Sequence, residues 1–279
     1  MSLRSEPTDG RSEGPAEERS AAARWAEDLA AWAIPEEILA QAPESPWIHP
    51  VELFRADDGP PPDCPSHRRA AEALPDGGTV LDVGCGGGRA AFAVARPGMT
   101  VVGVDQQQPM LDAFARAADE RGLAHAEVLG SWLDVADRAP AGDVVVCHHV
   151  VYNVADLAGF ALALNAHAAR RVVLELPQRH PLAGMAPLWE RFWGLRRPTG
   201  PTAEDAAAVL REAGLAPSLE PWEDDPVWRP LARLPMADQV RFMRIRLCLP
   251  AERDPEVELA MLEQPPIGPR RLATVWWDV

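Results

Sequence analysis

The sequence predicts an α/β protein: a doubly wound, mostly parallel sheet covered by helices on both faces. Three observations carry this. From residue 76 onward short β-branched runs alternate with Ala-rich helical stretches. An apolar run at Val80–Val83 breaks into a glycine loop and then a helix. A second apolar run ends in Asp105, about twenty residues beyond that loop.

The elements follow in order. Residues 1–20 are rich in Ser, Glu, Gly and Pro, cannot bury enough surface to offset ordering entropy, and read as a disordered tail. Trp25, Leu29 and Trp32, then Ile38 and Leu39, recur at helical spacing, with Pro35 and Pro43 cutting the pattern. A further helix is expected over Ser66–Leu74, so residues 21–75 read as an N-terminal helical cap. Asp76-Gly77-Gly78 is a turn signal. Strands are expected at Thr79–Val83, Thr100–Val104, Glu127–Leu129, Asp143–Cys147 and Arg171–Leu176, with helices between them. Thr202, Asp205 three residues on, and Gly214 bracket a helix over Ala203–Ala213. Strands at Ser218–Trp222 and Ala273–Trp277 close the domain of residues 76–279. Between them, a helical insertion near 223–271 holds helices around Ala237–Cys248 and Glu252–Leu262.

Composition narrows the function classes. The chain has 279 residues, 47% of them hydrophobic and 25% charged, enough for one large or two small globular domains. No run approaches the roughly 20 apolar residues of a membrane span, and the acidic, polar start does not read as a signal peptide, so a cytoplasmic protein is expected. Its 27 basic residues, all Arg, stand against 42 acidic ones, a net charge of −15 that repels phosphate backbones and makes nucleic acid an unlikely partner. Cys64, Cys85, Cys147 and Cys248 stand far apart without metal-ligand spacing, which indicates neither a zinc site nor a disulfide framework.

The stretch from Val80 to Arg89, VLDVGCGGGR, carries the chemistry. In an open parallel sheet, ligands bind at the carboxyl ends of the strands, and Gly84, Gly86 and Gly88 let the backbone approach one closely there. Asp82 adds a charge beside the loop. A dinucleotide-binding loop reads G-x-G-x-x-G, but here Arg89 stands where the third glycine belongs.

This G-x-G-x-G spacing with its preceding acid resembles the first motif of class I S-adenosylmethionine-dependent methyltransferases. The resemblance implies a Rossmann-like, seven-stranded sheet with the last strand antiparallel. It also implies that Asp105 accepts hydrogen bonds from the cofactor's ribose diol and that Gln106 borders the adenine. Ser131 stands where the family more often has Asp near the adenine amino group, with Trp132 beside it. The run from Asp143 to Val154, DVVVCHHVVYNV, resembles the family's fourth motif, where methyl donor and substrate meet.

Adjacent strand residues point to opposite faces, so only one of His148 and His149 is expected to face the reaction site directly. His148 is placed near the cofactor's amino-acid part, and His149 or Tyr152 near the substrate, histidine being suited to take a proton near neutral pH. The aromatic segment from Met185 to Arg197 reads as packing, or as a pocket wall whose arginines pair an anion. Trp47-Ile48-His49-Pro50 reads as a lid or as a docking contact of the cap. The expected function is methyl transfer to a small-molecule acceptor, with no metal. The alternatives are a catalytically inactive S-adenosylmethionine-binding sensor or partner subunit, and an NAD-dependent oxidoreductase, which the loop spacing disfavours.

Overall fold

The computed structural model describes residues 19–47, 53, 59–225, 230–264 and 268–279. The expected tail up to residue 18, and Ile48, His49 and Pro50 of the expected lid, lie outside the described residues.

The sheet is built from β1 (Thr79–Val83), β2 (Thr100–Asp105), β3 (Ala124–Leu129), β4 (Gly142–His148), β5 (Ala168–Pro177), β6 (Ser218–Glu223) and β7 (Arg271–Asp278). Their order is β3-β2-β1-β4-β5-β7-β6. The first five strands are parallel, and β7 is antiparallel to both β5 and β6. Strand order therefore reverses between β1 and β4, which opens a crevice at their carboxyl ends. The expected strands are all present. β3 starts at Ala124, three residues earlier than its composition indicates, because pairing with β2 from Thr100↔Ala124 onward outweighs the weak β-propensity of Ala and His.

The helices are α1 (Ala21–Ala30), α2 (Glu36–Leu39), α3 (Pro65–Ala73), α4 (Arg89–Val94), α5 (Gln108–Glu120), α6 (Trp132–Val135), α7 (Leu157–His167), α8 (Ala186–Trp193), α9 (Ala203–Glu212), α10 (Pro230–Arg233), α11 (Met236–Arg246) and α12 (Asp254–Leu262). α9 begins with the expected capping box: Thr202 Oγ1 accepts the Asp205 N–H at 3.2 Å, and Asp205 Oδ2 accepts the Thr202 N–H at 2.8 Å. Such a cap contributes about 1 kcal/mol. No helix among the described residues is long and apolar enough to cross a membrane.

Strand alternation sorts the interior into layers. Leu81, Val83, Val145, Cys147, Val172 and Leu174 face one core, shared with α7, α9 and Trp25 of α1. Val80, Val144, Val146 and Val173 face the opposite core, shared with α4, α5 and Ala70 of α3. A third core joins Ile38 of α2 to Leu188 and Trp189 of α8, Val240 of α11 and Val257 of α12. The N-terminal helices thus belong to three different cores, because each buries its apolar stripe against a different layer. Buried Arg244 clamps the inserted helices to the N-terminal segment, reaching Glu44 at 3.0 Å and Asp254 at 2.9 Å.

Candidate active site

The loop after β1 closes on the end of β2. Gly84, Gly86 and Gly88 adopt φ of 73°, 50° and 88°, a region that costs other residues energy. The N–H groups of Gly84 and Cys85 both donate to Val104 O, at 2.8 and 3.0 Å, and pin the loop to β2. Half-buried Asp105 then ties two backbone turns together. Its Oδ2 accepts the Gly86 N–H at 3.0 Å, and its Oδ1 accepts the Gln107 N–H at 2.9 Å. Each oxygen keeps lone-pair capacity for a ligand hydroxyl. Exposed Gln106 follows directly.

Asp82, expected to supply a charge beside the loop, is 1% exposed and accepts the Ala91 N–H of α4 at 3.1 Å, so it braces the loop from below. Its place in strand alternation beside Val80 turns it inward. Burial, opposed by the Ala91 N–H and aided by Asp105, pushes its pKa up to about 7. A folded value above the unfolded one means that the protonated form stabilises the fold. That stability is complete below the unfolded value near 4 and is lost as pH rises through about 7. Asp82→Asn should therefore flatten the pH dependence and make the variant more stable than the parent at pH 8, by at most about 4 kcal/mol. Urea denaturation at pH 5 and pH 8 checks this; identical pH dependence in both proteins would assign it to other groups.

At the β3 exit, Ser131 is the N-cap residue of α6 and is half-buried, whereas Trp132 is 4% exposed. Trp132 packs edge-on to His167 at 4.9 Å between ring centroids, inside the core. The ring expected beside an adenine is thus a core side chain. Leu129 and Leu133 are the exposed apolar residues of that corner.

The β4 exit corrects the expected divergence of the two histidines. His148 ends β4 in register with Glu175 of β5, and His149 then turns through φ 62°, which takes it out of strand alternation. Both histidines therefore approach one carboxylate. His149 Nε2 lies 3.0 Å from Glu175 Oε1, and His148 Nδ1 lies 4.0 Å from Glu175 Oε2. Burial first, then His67 and His149, push His148 down to about 4 against the pull of Glu175, leaving a neutral ring parallel to His67. Burial works to raise the Glu175 pKa, but His148, His149 and the Ser66 hydroxyl together hold it well below the usual carboxylate range. His148 thus belongs to a buried cluster under α3. Glu175 is the site residue that the sequence reading missed; its signal is a lone acid inside the apolar run from Val172 to Leu176.

Tyr152 is 4% exposed, stacks on Trp25 at 5.5 Å, and donates its hydroxyl to Pro177 O at 2.7 Å. Burial, then Glu204 and Asp205, push its pKa above the ordinary tyrosine value, so the hydroxyl stays protonated and committed to β5. Tyr152→Phe should leave Pro177 O unsatisfied and cost about 1–3 kcal/mol of stability without changing ligand affinity. Thermal unfolding beside ligand titration separates the two effects. Arg197 lies over the Trp32 and Trp189 rings and donates to the carbonyls of Trp32 and Ala33, which makes it packing. The four cysteines are buried thiols, and among the described residues no three His, Cys, Asp or Glu side chains are placed to hold a metal ion.

Residues 81–174 match the family model described as a methyltransferase domain. Among curated relatives, nocamycin O-methyltransferase of Saccharothrix syringae is 49% identical over 70 residues, which are 24% of this chain and 25% of that protein. Ubiquinone biosynthesis O-methyltransferase of Rickettsia conorii is 34% identical over 88 residues, 32% of this chain and 30% of that one. The matched stretches thus span well under half of these relatives' length. A candidate methyltransferase of Bacillus halodurans of known structure superposes with TM-score 0.50 at 18% identity, covering 76% of this chain and 95% of that one.

Proposed function

We propose that this chain, whose residues 81–174 match a methyltransferase domain, is a class I methyltransferase that binds S-adenosylmethionine and methylates a small molecule. The observation that carries the reading is the loop from Gly84 to Gly88 held against Asp105, with Asp105 Oδ2 on the Gly86 N–H at 3.0 Å. The donor set fits the cofactor: a carboxylate with spare lone pairs for a ribose diol, and a glycine backbone with no side chain at the closest approach. Ser131, Leu129 and Leu133 border the adenine side in this reading, and Asp82 keeps the loop in place. Bound there, the cofactor supplies a methyl group already activated by a positive sulfur.

The protein's own contribution is alignment, water exclusion and removal of an acceptor proton. His149 at the β4 exit, with 38% of its side chain exposed, is the residue placed for the proton, and Tyr152 holds the exit loop on β5. The O-methyltransferase names of the relatives support an oxygen acceptor. The net charge of −15 favours a small molecule over nucleic acid. Calorimetric titration with S-adenosylmethionine and S-adenosylhomocysteine, with NAD as control, tests the cofactor. Micromolar binding, about −8 kcal/mol, is expected for both sulfur compounds and none for NAD. Absence of binding to either sulfur compound overturns the reading. Transfer of radiolabelled methyl to a panel of phenols, alcohols and carboxylic acids then identifies the acceptor.

A further inference from the structure

Glu175 is 7% exposed and lies in the middle of a sheet, a position where an ionised carboxylate persists only with strong partners. It has them on two sides. From above, α3 begins at Pro65 with Cys64 as its N-cap residue, and this nine-residue helix directs the positive end of its dipole at the cluster. The Ser66 hydroxyl, 2.6 Å from Thr274 Oγ1, lowers the carboxylate's pKa, and Cys64 Sγ lies 3.8 Å from Oε2. From the β4 exit, His149 meets Glu175 twice: its N–H donates to Glu175 O at 2.7 Å, and its Nε2 lies 3.0 Å from Oε1. This double contact exists because His149 adopts φ 62°, a left-handed conformation that is unfavourable for a non-glycine residue. In ordinary strand alternation the ring would point to the opposite face of the sheet. A strained residue that meets Glu175 through its main chain at the carbonyl and through its ring at the carboxylate is a built arrangement.

A bare nitrogen lone pair 3.0 Å from an ionised carboxylate is repelled by it, so the carboxylate favours the tautomer with the proton on Nε2, and Nδ1 then holds the free lone pair. Nδ1 has no hydrogen-bond partner among the described residues, and the side chain is 38% exposed. We propose that Glu175 is a positioning residue that fixes this tautomer and presents His149 Nδ1 as the proton acceptor for an alcohol or phenol hydroxyl. The inference rests on the methyltransferase reading for the purpose of that proton, while the geometry of the pair stands without it. The hydroxyl proton passes to Nδ1, the imidazolium formed is compensated by the Glu175 carboxylate, and the proton leaves to water from the exposed ring edge. Acceptors already ionised at neutral pH, such as carboxylates, have no use for this pair.

Nitrogen-15 spectra of the histidine side chains of the whole chain, with His149 assigned by a His149→Gln variant, test the tautomer at pH 8. Wild type should show His149 protonated at Nε2 alone. Glu175→Gln, which keeps an acceptor oxygen, should retain that pattern, and Glu175→Ala should give a mixture. A wild-type ring protonated at Nδ1, or an unchanged pattern in a folded Glu175→Ala variant, overturns the proposal; if that variant does not fold, the wild-type spectrum decides. A purely structural pair would not respond to an acceptor, so phenol and benzyl alcohol are added as probes in the presence of S-adenosylhomocysteine. The Nδ1 resonance should shift with one of them and stay still with benzoate. If neither hydroxyl probe moves it, the acceptor role falls even with the tautomer intact. Failure of S-adenosylhomocysteine to bind in the parallel titration removes the methyltransferase reading instead and leaves the tautomer result standing.

Discussion

Gly84→Ala should lower the melting temperature by roughly 5–15 °C and weaken cofactor binding at least about tenfold. A Cβ at this position would lie 2.3 Å from Val150 Cγ2, and the backbone has φ 73°. The two penalties are separate. Left-handed φ costs an alanine about 1–2 kcal/mol, and overpacking against Val150 costs about 1–3 kcal/mol more. If the loop yields instead, it pulls Gly86 away from Asp105 and takes the ligand-facing backbone with it. Adding Val150→Ala removes only the steric part, so the double variant should recover part of the stability and leave the backbone cost of about 1–2 kcal/mol. Thermal unfolding of wild type, Gly84→Ala, Val150→Ala and the double variant, with S-adenosylmethionine titration of each, separates the contributions. Equal stability of Gly84→Ala and wild type would show that the β4 exit does not rest on this loop.

That contact between the β1 and β4 exits explains which parts of the site were legible in the sequence. Strand alternation, the glycine spacing and the acid ending β2 are local signals, and the sheet and the Asp105 loop follow from them directly. The capping box of α9 is equally local. The misplaced features are tertiary. Trp132 follows a strand and could face a ligand or the core; only packing against His167 settles it. His149 leaves its strand's alternation through a positive φ that no composition rule assigns to histidine. Glu175 becomes part of the site because β4 and β5 pair in the register His148↔Glu175, and because α3, about a hundred residues earlier in the chain, supplies the dipole and hydroxyl that keep it ionised. Spacing within one segment cannot show such convergence. The same holds for the N-terminal helices, whose apolar stripes look alike in the sequence yet enter three separate cores.

Asp105→Ala should abolish most of the cofactor affinity, by about a hundredfold or more. Two hydrogen bonds from a ribose diol to an ionised acceptor contribute about 1.5–3 kcal/mol each, and a loss of about 2.7 kcal/mol is already a hundredfold in Kd. The variant also frees the Gly86 and Gln107 N–H groups that the carboxylate now accepts. Affinity lost through the diol must therefore be told apart from affinity lost through a loosened loop. Asp105→Asn provides one distinction, because its carbonyl oxygen can still accept one of those N–H groups while the charge is gone; it should fall between wild type and Ala in affinity and stay near wild type in melting temperature. An adenosine analogue lacking both ribose hydroxyls provides the other. If Asp105 reads the diol, wild type should bind the analogue about as weakly as Asp105→Ala does, and the substitution should cost the analogue little further. If Asp105 only holds the loop, the substitution should weaken both ligands by the same factor, and the carboxylate would then be scaffold rather than a cofactor contact.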